Sequence, residues 1–180
     1  MKKNKLLIFM PSIEDGGVEK NFFIISNYLS DKFKDISVIS ISNKIRPKLN
    51  RNINLISLKN SFYDSIGRRK KFFICLFLLL REIILNRDVV VFCFQGNIYC
   101  SLLCKLLFIK VIIRSNTSPS GWSKNFIKLF MYKIFYGLAD KIIVNSLEFK
   151  REFKKKFNLD AVCIYNPLNK KEILKKSNKK

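Results

Sequence analysis

Apolar positions along the chain follow two alternating rhythms. Residues 5–11 (KLLIFMP) form a short, almost wholly apolar run, the mark of a strand buried on both faces of a sheet. A polar loop closing on Gly16 and Gly17 follows. Val18, Phe22, Ile25 and Leu29 then recur at helical spacing over residues 18–29. The pattern predicts strands at residues 36–41 and 53–58. It also predicts a long helix at 70–85, whose apolar residues cover most of its circumference, so that it is expected to be largely buried. Residues 88–94 (DVVVFCF) are β-branched, apolar and of strand length. Beyond them come a helix at 98–108, a strand at 110–114, a helix at 122–136 stopped near Gly137 and a strand at 141–145. A helix at 147–157 with Ser146 as its N-cap and a last strand at 160–165 complete the series.

Strands separated by helices at this spacing predict right-handed βαβ units. The expected fold is α/β, a Rossmann-like parallel sheet with helices on both faces. Residues 1–169 are expected to form this one domain. Residues 170–180 are expected to be a basic tail or the start of a linker.

Composition narrows the chemistry. The chain has 180 residues, a one-domain length, and carries 35 Lys and Arg against 13 acids, a formal charge of +22. It has no histidine, which removes the commonest general base and the commonest zinc ligand together. The charge admits nucleic acid, an anionic membrane surface, or plain lysine-rich composition. Lysines scattered through the whole chain beside abundant Ile and Asn favour the last. No nucleic-acid partner is expected, because the βα alternation lacks a basic face with interleaved aromatics on an RNA-binding fold. Cys75, Cys93, Cys100, Cys104 and Cys163 are odd in number and mostly sit in apolar runs, which reads as reduced core thiols in a cytosolic protein. No apolar run approaches the ~20 residues of a membrane span, and the one after Lys5 is too short for a secretory signal. Metal-ligand clusters are absent.

In an open parallel sheet, ligands gather at the carboxyl ends of the strands. The first such loop ends in Gly16-Gly17 before a helix, where bare backbone can approach a diphosphate; the alternative is a tight turn with no ligand. Neither GxGxxG nor a P-loop lysine is present. In the second, Gln95-Gly96-Asn97, Gly96 lets the chain turn and Asn97 either caps the next helix or contacts a polar substrate. The third, residues 114–121 (RSNTSPSG), is the richest polar cluster. Arg114 leaves an apolar strand, where a guanidinium can hold phosphate or carboxylate bidentately, and Ser115, Asn116, Thr117 and Ser118 add donors and acceptors. An ordinary surface loop is the alternative there. Asn145-Ser146 reads as a helix cap. No nucleophile–base pair is visible, so no catalytic residue is assigned.

Together these loops resemble the N-terminal, acceptor-side domain of family 4 glycosyltransferases, retaining enzymes of the GT-B fold. The resemblance rests on Gly16-Gly17-Val18-Glu19, on the strand before Gln95-Gly96-Asn97, and on Arg114-Ser115-Asn116. Residues 139–146 (ADKIIVNS) and Tyr165-Asn166-Pro167 extend it nearly to the end of the chain. It implies a nucleotide-sugar donor and a cell-surface glycan or lipid-linked saccharide acceptor, with no metal and no further cofactor. Gly16 and Gly17 would lie against the donor diphosphate. Asn97, Arg114 and Asn116, with Ser115 between them, would line the acceptor and sugar side.

The family's paired-glutamate E-x7-E motif does not occur, nor does its frequent histidine near Ser115 and Asn116. The resemblance therefore implies half an enzyme, a truncated product or one member of a split pair, which needs a donor-binding domain for activity. It also implies a cytoplasmic location, with peripheral contact on the inner face of the membrane through the basic-flanked segment 68–87. The alternatives are a non-catalytic acceptor- or membrane-binding partner of a separate chain, or a basic nucleic-acid-binding module.

Overall fold

The computed structural model describes residues 5–13, 16–58, 62–121 and 125–168, with the backbone alone described at 62, 64 and 120. Glu14 and Asp15 of the first loop, Trp122 at the expected start of a helix, and the tail 170–180 lie outside the described residues.

Among the described residues, seven strands form one sheet: β1 (Lys5–Phe9), β2 (Ile36–Ile39), β3 (Asn54–Ile56), β4 (Val89–Cys93), β5 (Lys110–Ser115), β6 (Lys141–Val144) and β7 (Val162–Cys163). Their spatial order is β3-β2-β1-β4-β5-β6-β7, and every neighbouring pair is parallel. The direction of winding thus reverses between β1 and β4, where Leu7 pairs with Val91 and Phe9 with Cys93. The helices are α1 (Gly17–Ser30), the one-turn α2 (Phe62–Ser65), α3 (Arg68–Leu85), α4 (Asn97–Leu106), α5 (Phe126–Gly137) and α6 (Leu147–Phe157).

The two-residue period of the strands sorts their side chains into two cores. Leu6, Ile8, Phe92 and Phe94 face the side covered by α1, where the Phe22 ring meets Phe94 edge-on at 5.6 Å. Leu7, Phe9, Val89, Val91, Cys93, Val111 and Ile113 face the other side, under α3, α4, α5 and α6. Strands so enclosed are apolar over most of their length, which is why the short runs read correctly as buried strands. Ser146 caps α6 as expected, its Oγ accepting the Phe149 N–H at 3.1 Å.

The long third helix departs from expectation. Only Cys75, Leu78, Leu79 and Ile83 of α3 are buried, while Phe73, Phe77, Ile84 and Leu85 stand 65–67% exposed. No second layer covers α3 among the described residues, so only the stripe that meets the sheet loses water. Tyr99 and Leu106 of α4 and Phe126, Ile127 and Phe130 of α5 are exposed in the same way.

Five thiols accompany this core; four are buried and Cys163 is half-buried. Burial pushes the Cys75 thiol up to about 12. Cys104 is raised by its hydrogen bond with Cys100 and by burial, and Cys100 chiefly by burial. A raised acid keeps its proton in the folded chain while the unfolded chain releases it. The stability these thiols contribute is therefore intact below pH 9 and declines as pH climbs from 9 towards 12. Urea unfolding followed from pH 8 to 11 is expected to show this decline, at most about 1.4 kcal/mol per pH unit for each such group. Cys75→Ala should make the decline shallower; a flat profile would mean that the thiols are not sealed from water.

Candidate functional site

The carboxyl ends of β4 and β5 open on a cleft of about 290 Å³, next to the reversal between β1 and β4. A cleft here is what open α/β sheets provide, because the strands' connections diverge to opposite faces at such a point. Its wall includes Gln95, Asn97, Arg114, Ser115, Asn116, Thr117 and Tyr136, with Val18 from α1, Arg68 from α3 and Tyr99 from α4. Four of the six residues singled out in the sequence therefore meet in one place.

The β4–α4 turn is built by Gly96, which adopts φ +71°, a left-handed conformation open to glycine. A Cβ there would also lie 2.7 Å from two atoms of the Phe72 ring. Gln95 braces the neighbouring loop, its Oε1 accepting the Ser12 N–H at 3.2 Å. Asn97 is not the cap of α4. Gly96 occupies that position, so Asn97 starts the helix and its amide is free to point inward. Its Nδ2 donates to the Arg114 carbonyl at 3.1 Å and to the Tyr136 hydroxyl at 3.2 Å. Its Oδ1 is buried and has no hydrogen-bond partner.

Arg114 is 1% exposed. Its Nη2 donates to the Ile164 carbonyl at 3.2 Å and to Asn166 Oδ1 at 2.9 Å, while its buried Nε has no partner. Among the described residues no carboxylate approaches the guanidinium. Burial lowers its pKa, opposed by the nearby Cys163, but a guanidinium stays charged at any physiological pH. The site thus contains a desolvated positive charge bonded only to neutral oxygens. Such a charge is costly to bury without a counter-ion. Asn116 Nδ2 reaches the Phe94 carbonyl at 3.4 Å, and Ser115 Oγ bonds the Thr117 carbonyl at 3.0 Å. Burial raises the Tyr136 phenol, partly offset by its hydrogen bonds with Asn97 and Ser115, so it remains a neutral hydroxyl.

Gly16 and Gly17 are exposed at the start of α1 but are not among the lining residues; Val18 is. The Gly16 N–H, expected to meet a diphosphate, donates instead to Glu19 Oε2 at 2.8 Å. The chain supplies its own anion at that amide, an ordinary stabilisation of a helix start. Sequence reasoning missed Arg68, Tyr99 and Tyr136. Arg68 was hidden in a run of four cations, and the two tyrosines read as ordinary helix positions. Those cations, Arg68 to Lys71, fill the first turn of α3 with no acid among them. Cations at a helix N-terminus oppose its dipole by roughly 0.3–1 kcal/mol each.

No family model and no curated protein sequence matches the chain. Among solved structures it is similar to Anabaena HepE in complex with UDP and glucose, with TM-score 0.61 and 13% identity over 98% of this chain and 50% of that one. It is also similar to Phytolacca americana UGT2, complexed with UDP-2fluoro-glucose and pterostilbene, with TM-score 0.58 and 10% identity over 98% and 57%. The match to Glycyrrhiza uralensis UGT73P12, complexed with glycyrrhetinic acid 3-O-monoglucuronide, has TM-score 0.58 and 8% identity over 89% and 48%. These likenesses define the fold: a Rossmann-like domain of the kind found as one half of GT-B glycosyltransferases. The chain spans about half the length of the structures it matches.

Proposed function

We propose that the chain is the acceptor-side domain of a retaining, nucleotide-sugar-dependent glycosyltransferase of the family 4 kind. The observation that carries this reading is the cleft beyond β4 and β5, where amides, hydroxyls and aromatic rings surround an unpartnered Asn97 Oδ1. Sugar hydroxyls donate and accept at once, so a buried acceptor oxygen beside neutral donors suits them. In the proposed transfer the anomeric carbon–oxygen bond to the nucleotide diphosphate breaks, and an acceptor hydroxyl oxygen bonds to that carbon on the same face. The hydroxyl proton leaves with the diphosphate, so the transfer requires no base from this chain. The donor is held by a second α/β domain, in a continuation of the chain or in a partner chain. Without it, proximity of the reactants is lost and little rate enhancement is expected.

Saturation-transfer NMR with a panel of mono- and disaccharides tests the reading. We expect saturable binding that Asn97→Ala and Asn116→Ala each weaken at least tenfold. Binding of generic RNA that falls steeply with salt, with no saccharide effect, would instead identify a nucleic-acid module.

A second element of the reading is peripheral contact with the inner leaflet of a membrane. No helix among the described residues is long and apolar enough to cross a membrane. The exposed apolar side chains of α3, α4 and α5 support surface contact, since they share this layer with exposed Arg69, Arg81, Lys105, Lys128 and Lys133. Lysines near an anionic leaflet contribute on the order of 1 kcal/mol each. Co-sedimentation with vesicles of phosphatidylglycerol and phosphatidylcholine should exceed that with phosphatidylcholine alone and fall with Phe126→Ser/Phe130→Ser. Equal recovery of the wild type and this variant would refute contact through α5.

A further inference from the structure

Two residues of the cleft wall each bury a polar atom that has no hydrogen-bond partner: Arg114 Nε, a donor, and Asn97 Oδ1, an acceptor. They belong to one bonded unit, since Asn97 Nδ2 donates to the Arg114 carbonyl at 3.1 Å. The Arg114 side chain is 1% exposed, and its Nη2 donates to the Ile164 carbonyl and to Asn166 Oδ1. Both of these partners are neutral oxygens. The acids of the adjoining segments are committed elsewhere, Glu19 to the Gly16 N–H at 2.8 Å and Glu152 to the Ser118 hydroxyl at 2.6 Å. Among the described residues that line the cleft, Arg68 and Arg114 are charged and none is an acid.

Buried charges in proteins are paired, and neutral oxygens offset the desolvation of a guanidinium only in part. We infer that the sugar unit received by the cleft is itself acidic: a uronic acid, whose ring carboxylate accepts from Arg114 Nε–H while a neighbouring ring hydroxyl donates to Asn97 Oδ1. One leftover donor and one leftover acceptor in the same wall match that pair of groups. A neutral hexose satisfies the two atoms and leaves the charge without a counter-ion. A phosphate ester brings roughly −1.5 to −2 charges and three strong acceptor oxygens, and so asks for several donors. The wall has few to give, because Nη2 is engaged and Ser115 Oγ and Asn116 Nδ2 already bond the Thr117 and Phe94 carbonyls. A carboxylate spreads a single charge over its oxygens and is served by one charge-assisted bond from Nε.

An acidic acceptor rests on the transferase reading, and the test separates the two. Isothermal calorimetry of the full chain compares methyl glucuronide with methyl glucoside, the neutral methyl glucuronamide, glucose 1-phosphate and acetate. Methyl glucuronide should bind at least tenfold more tightly than the glucoside, the amide or acetate, and more tightly than glucose 1-phosphate. Its preference over the glucoside should survive a rise in salt from ~0.05 to ~0.5 M, because a buried pair is screened far less than surface lysines. Arg114→Gln should reduce the preference to less than twofold. Asn97→Asp, which gives the wall a carboxylate of its own, should do the same. Lys34→Gln/Lys155→Gln removes charge at exposed positions elsewhere and should change the preference by less than twofold. If a cleft variant fails to fold, the wild-type ligand series decides alone. Equal binding of glucuronide and glucoside, a preference lost with salt, or one that folded Arg114→Gln retains overturns the acidic acceptor while the transferase reading stands. Tighter binding of glucose 1-phosphate or of acetate overturns the uronic acid as well. Failure of every saccharide to bind overturns the transferase reading, and the acidic acceptor with it.

Discussion

Arg114, its guanidinium closed off from water at the end of β5, links the segments of the site through both its side chain and its backbone. Arg114 bonds through Nη2 to the segment leaving β7, through its carbonyl to Asn97 on α4, and it stands in the wall of the cleft. Three chain segments far apart in sequence are thereby held around one opening. Desolvating a charge is expensive, and neutral oxygens compensate it only in part. The buried Nε is left without a hydrogen-bond partner beside the cleft.

The fold class was legible because a sheet buried on both faces leaves few polar positions in its strands. Residues 88–94 could be read alone, since Val89, Val91 and Cys93 serve one core and Phe92 and Phe94 the other. Strand ends were less legible. The last strand has two residues, Val162 and Cys163, where a strand was expected from 160 to 165, because only Ile143 and Val144 of β6 pair with it. The 3-10 turn at Asn43–Lys48 left no periodic signature.

The candidate site was legible as loops but not as bonds. Asn97, Arg114, Ser115 and Asn116 come together because the carboxyl ends of adjacent strands must be neighbours. What each side chain does there depends on partners remote in sequence. Asn97 reaches Tyr136 across 39 positions and Arg114 reaches Asn166 across 52, and no local spacing announces such pairs. The Gly16 contact was hidden for the opposite reason: its partner, Glu19, is three residues away and counted in the sequence only as part of the run Gly16-Gly17-Val18-Glu19. The exposure of α3 was hidden because composition records how apolar a helix is, and not how many layers cover it.

The claim at the centre of this account is that the buried Arg114 guanidinium awaits a ligand in the cleft. Arginine Nε–Hε resonances report on that group directly. On titration with glucose 1-phosphate, the Arg114 Nε–Hε signal should shift saturably and its hydrogen should become more protected from exchange with water. Shifts confined to exposed basic residues such as Arg87 and Arg151, with the Arg114 signal unmoved, would contradict it.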